Sequence, residues 1–560
     1  MSYSKLYSKS FFILLFILII HLPLLLYGDF QQDDFYIFNL SNFSFIDSFS
    51  EVILQFSNRP FAAIFFSFIT RFFFSYEFSY ILNIALILLS CNFIIISFEK
   101  YFIKIFFKEI FIIFCLIPVF SYSVIFSSGM QITGNLSIFI WSISIFYLNR
   151  FLKENSLRHL IYSNLYLTLM FLTYESAFPL LIINLTMPFL QNNTKAFKQV
   201  FITVITVLII SFIFQKIILP EMFNGDISRL RIENFQIRSF LLFFSGNIIL
   251  FLNIFYLLFA NFFSSLKIIF GTLFLIFQYF TCLILFIFIC YKSYQEKSDV
   301  IKKNREKNFI LLIMSLFFIF LLIFMHTISK SAMNLYGINN RALVSLSFFV
   351  PLFLIILFNY LPKKYLIYLF FCFFIVITNY LPIQYNNIIY IKERNLSFKN
   401  LISESKKNLT HSIFLIHYDN FDTNDLFKYT TYSDDNFDFQ NMINFKEKVY
   451  INKNNIIGVK FTNAMYCNKV FWKQHFEDRF YKNYDKKIIF AENIKNRVIF
   501  NKFENYNNFN SFIENKISCE SKNKYKEFLN KKFNKSSNKD FINDSKFVMK
   551  ILDFYMNLSN

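Results

Sequence analysis

Apolar residues in this chain come in long unbroken runs, and the runs stop near residue 381. A membrane-spanning helix needs about 20 mostly apolar residues, with a range of about 17–25. Runs of that kind predict spans at 11–27, 77–98, 110–127, 134–150, 160–174, 175–190, 199–219, 268–291, 309–327, 342–359 and 365–381. The runs 160–174 and 175–190 are short and abut, so they read as two short helices or one bent one. Segment 241–262 is also apolar and has no secure place in this layout. The first run, FFILLFILIIHLPLLLYG, follows MSYSKLYSKS in the manner of a signal peptide. It is long, no small-residue cleavage site follows it, and further spans come after, so it reads as an uncleaved first helix with its basic end inside.

Beyond 381 the pattern changes. The runs IFLIHYD, KVYI, IIGVKF and KKIIFAE are short, β-branched and bounded by Asn, Asp or Lys, which predicts strands. Stretches near 522–533 and 545–558 read as helices. The expected organisation is therefore a polytopic α-helical membrane domain over 1–381 and a soluble α+β domain over 382–560. Lys and Arg collect at 98–109, 149–159, 191–199, 291–308 and 361–364, and the positive-inside rule asks for all five in the cytoplasm. The eleven spans satisfy this if 241–262 stays at the outer interface or re-enters, and the C-terminal domain is then extracytoplasmic. A crossing at 241–262 would move the 291–308 cluster outside. The first outer loop is then 28–76, and it ends in NRPFAAIFFSFITRFFFSYEFS, which reads as an amphipathic helix lying in the membrane interface.

Composition agrees with lipid exposure: 56% of residues are hydrophobic and 16% charged, against about 25% charged in soluble domains. The net charge of +20 fits basic segments facing anionic lipid, which makes a bilayer the expected partner in place of nucleic acid. The 87 Phe beside 8 Gly and 9 Pro indicate drift toward AT-rich codons, hence a bacterial source and a multi-pass protein of the inner membrane. Cys91, Cys115, Cys282, Cys290 and Cys372 lie in apolar runs, while Cys467 and Cys519 sit in the polar tail, where a disulfide and two free thiols are both open.

Chemistry has few candidates in so apolar a chain. Directly after the first run comes Gly28-Asp29-Phe30-Gln31-Gln32-Asp33-Asp34-Phe35-Tyr36. Grouped carboxylates repel one another, which suits a general base. They can also hold a divalent cation, or simply solvate a turn that stops the helix. Glu175, in Leu172-Thr173-Tyr174-Glu175-Ser176, falls within an apolar stretch, where an ionisable group normally faces a cavity or a partner. A snorkelling residue at a helix end is the structural alternative. Arg229, Arg231 and Arg238 in 220–240, with Lys330 and Arg341 in 328–341, place cations in outer loops, either against a phosphate or as interfacial anchors. His21 and His326 are lone imidazoles, better explained by packing than by ligation. No phosphate-binding glycine loop, GxSxG or HExxH is present.

Asp33-Asp34-Phe35-Tyr36 after a first span, and Ser57-Asn58-Arg59-Pro60 at the start of an interfacial helix, resemble the opening of the GT-C glycosyltransferases. These include the protein O-mannosyltransferases and the lipid A aminoarabinose transferases. The resemblance covers the layout of residues 10–200, and a Tyr-Glu such as Tyr174-Glu175 recurs in some relatives. It implies transfer of a sugar from a polyprenyl-phosphate donor to an extracytoplasmic glycan, lipid or protein. Asp33 or Asp34 would be the base. Tyr36, Arg59, Tyr174, Glu175, Arg229, Arg231, Lys330 and Arg341 would be the substrate-binding set. The competing expectations are a transporter or flippase for lipid-linked glycans, which internal repeats and broken helices would mark, and a glycan polymerase or ligase.

Overall fold

The computed structural model describes residues 3–28, 44–55, 59–73, 75–99, 102, 105–117, 128–218, 237–296, 305–328, 343–361, 365–406, 413–418, 456–461, 487–494, 497–504 and 506–516. They fall into two units, of which the first ends at Tyr385 and the second begins at Asn386.

The first unit is helical. It opens with α1 (Tyr3–Tyr27), α2 (Phe45–Gln55), α3 (Pro60–Phe73), α4 (Tyr76–Ser97) and α5 (Ile105–Leu116). A long hairpin follows, α6 (Ser128–Glu154) and α7 (Leu157–Thr173), then a 3₁₀ helix (Glu175–Leu180), α8 (Leu181–Leu190) and α9 (Phe197–Ile213). The rest is α10 (Ile237–Ala260), α11 (Phe262–Phe270), α12 (Leu273–Glu296), α13 (Arg305–Ile328), α14 (Leu346–Tyr360) and the part of α15 (Leu366–Lys406) up to Tyr385. Five stretches among the described residues are long and apolar enough to cross a membrane: Tyr76–Ser97, Ile132–Glu154, Thr194–Ile213, Phe309–Ile328 and Ile367–Ile389. A sixth is added if α11 and α12 form one broken span. The chain is a multi-pass helical membrane protein whose surroundings are a lipid bilayer.

The structure departs from the expected layout at one run and gives the form of two others that the sequence left open. The run 268–291 is not one helix, because the chain turns by 117° between Phe262–Phe270 and Leu273–Ile289. Gly271 and Thr272 stand at the break, and Gly271 closes α11 by donating to the Lys267 carbonyl at 3.1 Å. The runs 160–174 and 175–190 are two helices separated by the 3₁₀ turn, with Pro179 inside that turn. The unplaced segment 241–262 is a helix, α10, and it ends at Ala260.

Hydrogen bonds fix how the first helices run. Asn135, near the start of α6, donates to Asn83 of α4 at 2.7 Å, and Phe93 further along α4 meets Phe139 and Phe146. These two helices therefore run in the same direction. Asn155, at φ 54°, turns the chain from α6 into α7, a left-handed position that Asn tolerates after a helix. Ser144 of α6 then donates to the Ser163 carbonyl of α7 at 2.8 Å, so α7 runs back. Trp141, Asn149 and Leu152 of α6 meet Asn184, Gln191 and Asn193 in order, so α8 runs with α6. The start of α4, the start of α6 and the end of α7 thus share one end of the bundle. The end of α1 lies there too, because the Tyr76 hydroxyl donates to the Leu24 carbonyl at 3.1 Å.

Buried polar side chains join these helices. The Trp141 indole donates to Asn184 Oδ1 at 2.9 Å, and Asn184 Nδ2 donates to Ser144 Oγ at 3.3 Å. Trp141 is fully buried. Asn184→Leu leaves the indole N–H without its acceptor, so a loss of about 1–3 kcal/mol is expected. Thermal unfolding in nanodiscs measures it.

The second unit contains a four-stranded sheet of order β2-β1-β3-β4. Its strands are β1 (Ile413–Tyr418), β2 (Ile456–Phe461), β3 (Lys487–Ile494) and β4 (Arg497–Phe503), followed by α16 (Tyr506–Lys516). β1 is central and parallel to both neighbours, and β3 and β4 pair antiparallel. Phe490 is fully buried and packs with Phe503 against Phe509 and Phe512 of α16. Strands form at three of the four runs named from sequence. KVYI, 522–533, 545–558, Cys467 and Cys519 lie outside the described residues.

Candidate functional site

The acidic segment with Asp33, Asp34 and Tyr36 lies outside the described residues, as do Arg229, Arg231, Lys330 and Arg341. The helices that lead into and out of the acidic segment are described. α1 stops at Gly28, whose N–H donates to the Leu24 carbonyl at 2.7 Å. The same carbonyl accepts the Tyr76 hydroxyl. A Cβ on Gly28 would lie 1.9 Å from that hydroxyl and 2.3 Å from the Leu24 carbonyl, so only glycine fits. Tyr76 stacks on Tyr80, with ring centroids 5.8 Å apart, and Tyr80 shares a 2.9 Å hydrogen bond with His21 Nδ1. The first residue of the acidic segment, Asp29, therefore follows a helix end clamped by α4.

The second element is α3. Its helix is begun by Pro60, whose missing N–H is not needed in a first turn, and the Arg59 carbonyl accepts the Ala63 N–H at 3.0 Å. Ala62, Ala63, Phe66, Ser67 and Thr70 are buried, whereas Ile64 and Phe68 are exposed. This spacing puts a small-residue face on the protein and an apolar face outward.

Arg59 meets the third element. Its guanidinium carbon sits 4.5 Å from the centroid of the Tyr174 ring, a cation–π contact worth about 0.5–2 kcal/mol. Tyr174 ends α7 in an extended conformation, φ −159° and ψ 112°, with its N–H on the Met170 carbonyl. Glu175 then opens the 3₁₀ helix. Since α7 ends where α4 begins, both ends of α3 lie at one end of the bundle. α3, about 21 Å long by helix rise, lies across that end and does not pass through the bundle.

The structure thus brings Arg59 onto Tyr174, beside the backbone of Glu175, and sets the entry to the acidic segment at the same end. A guanidinium stacked on a ring has its plane fixed and its charge retained, a geometry suited to phosphate oxygens. Among the described residues no three His, Cys, Asp or Glu side chains are grouped as a metal site would require. Asp33 and Asp34 lie outside the described residues and so outside that set. Sequence reasoning overlooked Tyr76 and Tyr80, whose signal was a pair of tyrosines one turn apart at the mouth of a span. No protein-family model, curated protein or solved structure matches this chain.

Proposed function

We propose that this protein is a GT-C-type membrane glycosyltransferase that moves a sugar from a polyprenyl-phosphate donor to an extracytoplasmic glycan, lipid or protein. The observation that carries the reading is the meeting of Arg59 and Tyr174 at the end of the bundle where the acidic segment begins. A charge-poor membrane protein that gathers a fixed cation, a Tyr-Glu and the point from which an acidic segment departs at one end has the parts for chemistry on a lipid phosphate. In this reading eleven spans carry the chain, 382–560 is a soluble α+β domain, and both it and the acidic loop are extracytoplasmic.

The chemistry follows from those parts. Asp33 or Asp34 takes the proton of an acceptor hydroxyl, and the oxygen attacks the anomeric carbon. The bond from that carbon to the phosphate oxygen breaks, the anomeric centre inverts, and polyprenyl phosphate leaves with the electron pair. Arg59, with Arg229, Arg231, Lys330 and Arg341, offsets the charge that develops on the phosphate. Tyr36, Tyr174 and Glu175 border the acceptor. The lipid chain stays among the helices, which is why such an enzyme is embedded in a membrane.

The test is release of free polyprenyl phosphate by the purified chain in nanodiscs, given polyprenyl-phosphate sugars and crude acceptor glycans. Release that requires both donor and acceptor supports transfer. Movement of intact donor across the bilayer with no release replaces the reading with transport. Arg59→Ala should weaken donor use by about 10- to 100-fold, the equivalent of the roughly 1.5–3 kcal/mol typical of a hydrogen bond to a charged group. The loss should appear mainly in kcat, because the charge that Arg59 offsets grows as the phosphate leaves, and Arg59→Lys should recover part of it because charge returns without the planar fork.

A further inference from the structure

α1 carries a proline in its last two turns, Pro23. Proline has no N–H and crowds the carbonyl of the residue four positions earlier, which here is Ile19. In a bilayer no water replaces the missing donor, so another part of the protein must do so. Two buried glutamines, both 2% exposed, reach α1 at this point. Gln278 Nε2 of α12 donates to the Ile19 carbonyl at 2.8 Å, and Gln384 Nε2 of α15 donates to the carbonyl of Ile20. Gln278 Nε2 also lies 3.2 Å from Gln384 Oε1, which ties the two amides together. A leucine at either place would fill the space and suit an apolar interior equally well, so the amides are explained by what they bond.

We propose that Gln278 and Gln384 are positioning residues: Gln278 stands in for the one hydrogen bond that Pro23 denies to α1, Gln384 fixes Gln278 and bonds the next carbonyl, and together they hold the last turns of α1, up to Gly28, in one place. The catalytic half of this statement rests on the glycosyltransferase reading, while the structural half does not. The last turns of α1 are gripped from α12 and α15 at Ile19 and Ile20, and from α4 at Leu24. A proline placed between these grips makes the helix end depend on its neighbours instead of on its own backbone.

The experiment is a double-mutant cycle in nanodiscs with Gln278→Leu, Gln384→Leu and Pro23→Ala. Amide hydrogen exchange over residues 19–28 is one readout, and polyprenyl-phosphate release is the other. Each leucine variant should exchange at least tenfold faster over this stretch and lose kcat at least tenfold with KM for donor unchanged. Pro23→Ala supplies an N–H to the Ile19 carbonyl, so Gln278→Leu should cost much less protection in that background. Equal cost with and without Pro23 overturns the proposal. Protection restored by Pro23→Ala in the Gln278→Leu background, together with no polyprenyl-phosphate release by the wild type, keeps the clamp and rejects the transferase reading. Faster exchange in the leucine variants with kcat intact limits the glutamines to stability and rejects their positioning role.

Discussion

Asp33→Asn and Asp34→Asn, assayed side by side, should separate: one abolishes polyprenyl-phosphate release almost completely, by about 10²–10⁴-fold, the range attributed to general-base catalysis, while the other loses much less. Asparagine has nearly the shape of aspartate and still accepts a hydrogen bond through its carbonyl oxygen, but it cannot take a proton from an acceptor hydroxyl. Because the substitution is nearly isosteric, both variants should unfold at the wild-type temperature. Only a chemical role predicts a large loss of turnover without a loss of stability. Equal and small losses in both variants would reduce the acidic segment to a solvated turn. Activity should fall through kcat more than through KM, because the base acts on the proton in flight and not on the bound donor.

Gly28→Ala is expected to have the largest effect on the fold per atom added. A Cβ there would lie 1.9 Å from the Tyr76 hydroxyl and 2.3 Å from the Leu24 carbonyl. Neither neighbour yields easily. The Leu24 carbonyl is backbone and already accepts from Gly28 and from Tyr76. Tyr76 is 5% exposed and stacked on Tyr80, which is itself bonded to His21. Overpacking of this kind costs about 1–3 kcal/mol, occasionally more. Lower thermal stability in nanodiscs should therefore accompany a loss of release activity, since the end of α1 must shift. Tyr76→Ala removes the nearest obstruction, so Gly28→Ala combined with Tyr76→Ala should be more stable than the sum of the single losses predicts. Strict additivity would show that the alanine finds room elsewhere.

Particular residues show what was legible. That a short helix follows Arg59-Pro60 was readable from the short apolar core before Arg71; the structure adds that Ala62, Ala63, Phe66, Ser67 and Thr70 are buried on one side of it while Ile64 and Phe68 face away. The break at Gly271 was signalled by Gly-Thr within an apolar run, and the run was still read through, since lipid exposure is recorded by hydropathy and direction is not. Segment 241–262 stayed unplaced for the same reason: an apolar helix satisfies its own backbone whether it crosses the bilayer or not. Of the proposed site, Arg59, Tyr174 and Glu175 were found as separate residues. Their meeting was not, because α7 had first to be directed by its contacts with α6.

The sequence by itself determined that this is a helical membrane protein, where its apolar runs lie, and which few residues have chemistry to offer. Those properties are local: a run of apolar residues closes its own hydrogen bonds and needs only lipid around it. The tertiary structure decided which helix ends share a side, that Arg59 lies on Tyr174, and that Gln278 and Gln384 serve carbonyls 259 and 364 positions away in the chain. Such contacts depend on how separate helices pack and turn, and no window of sequence records the partner that a lone glutamine or proline requires.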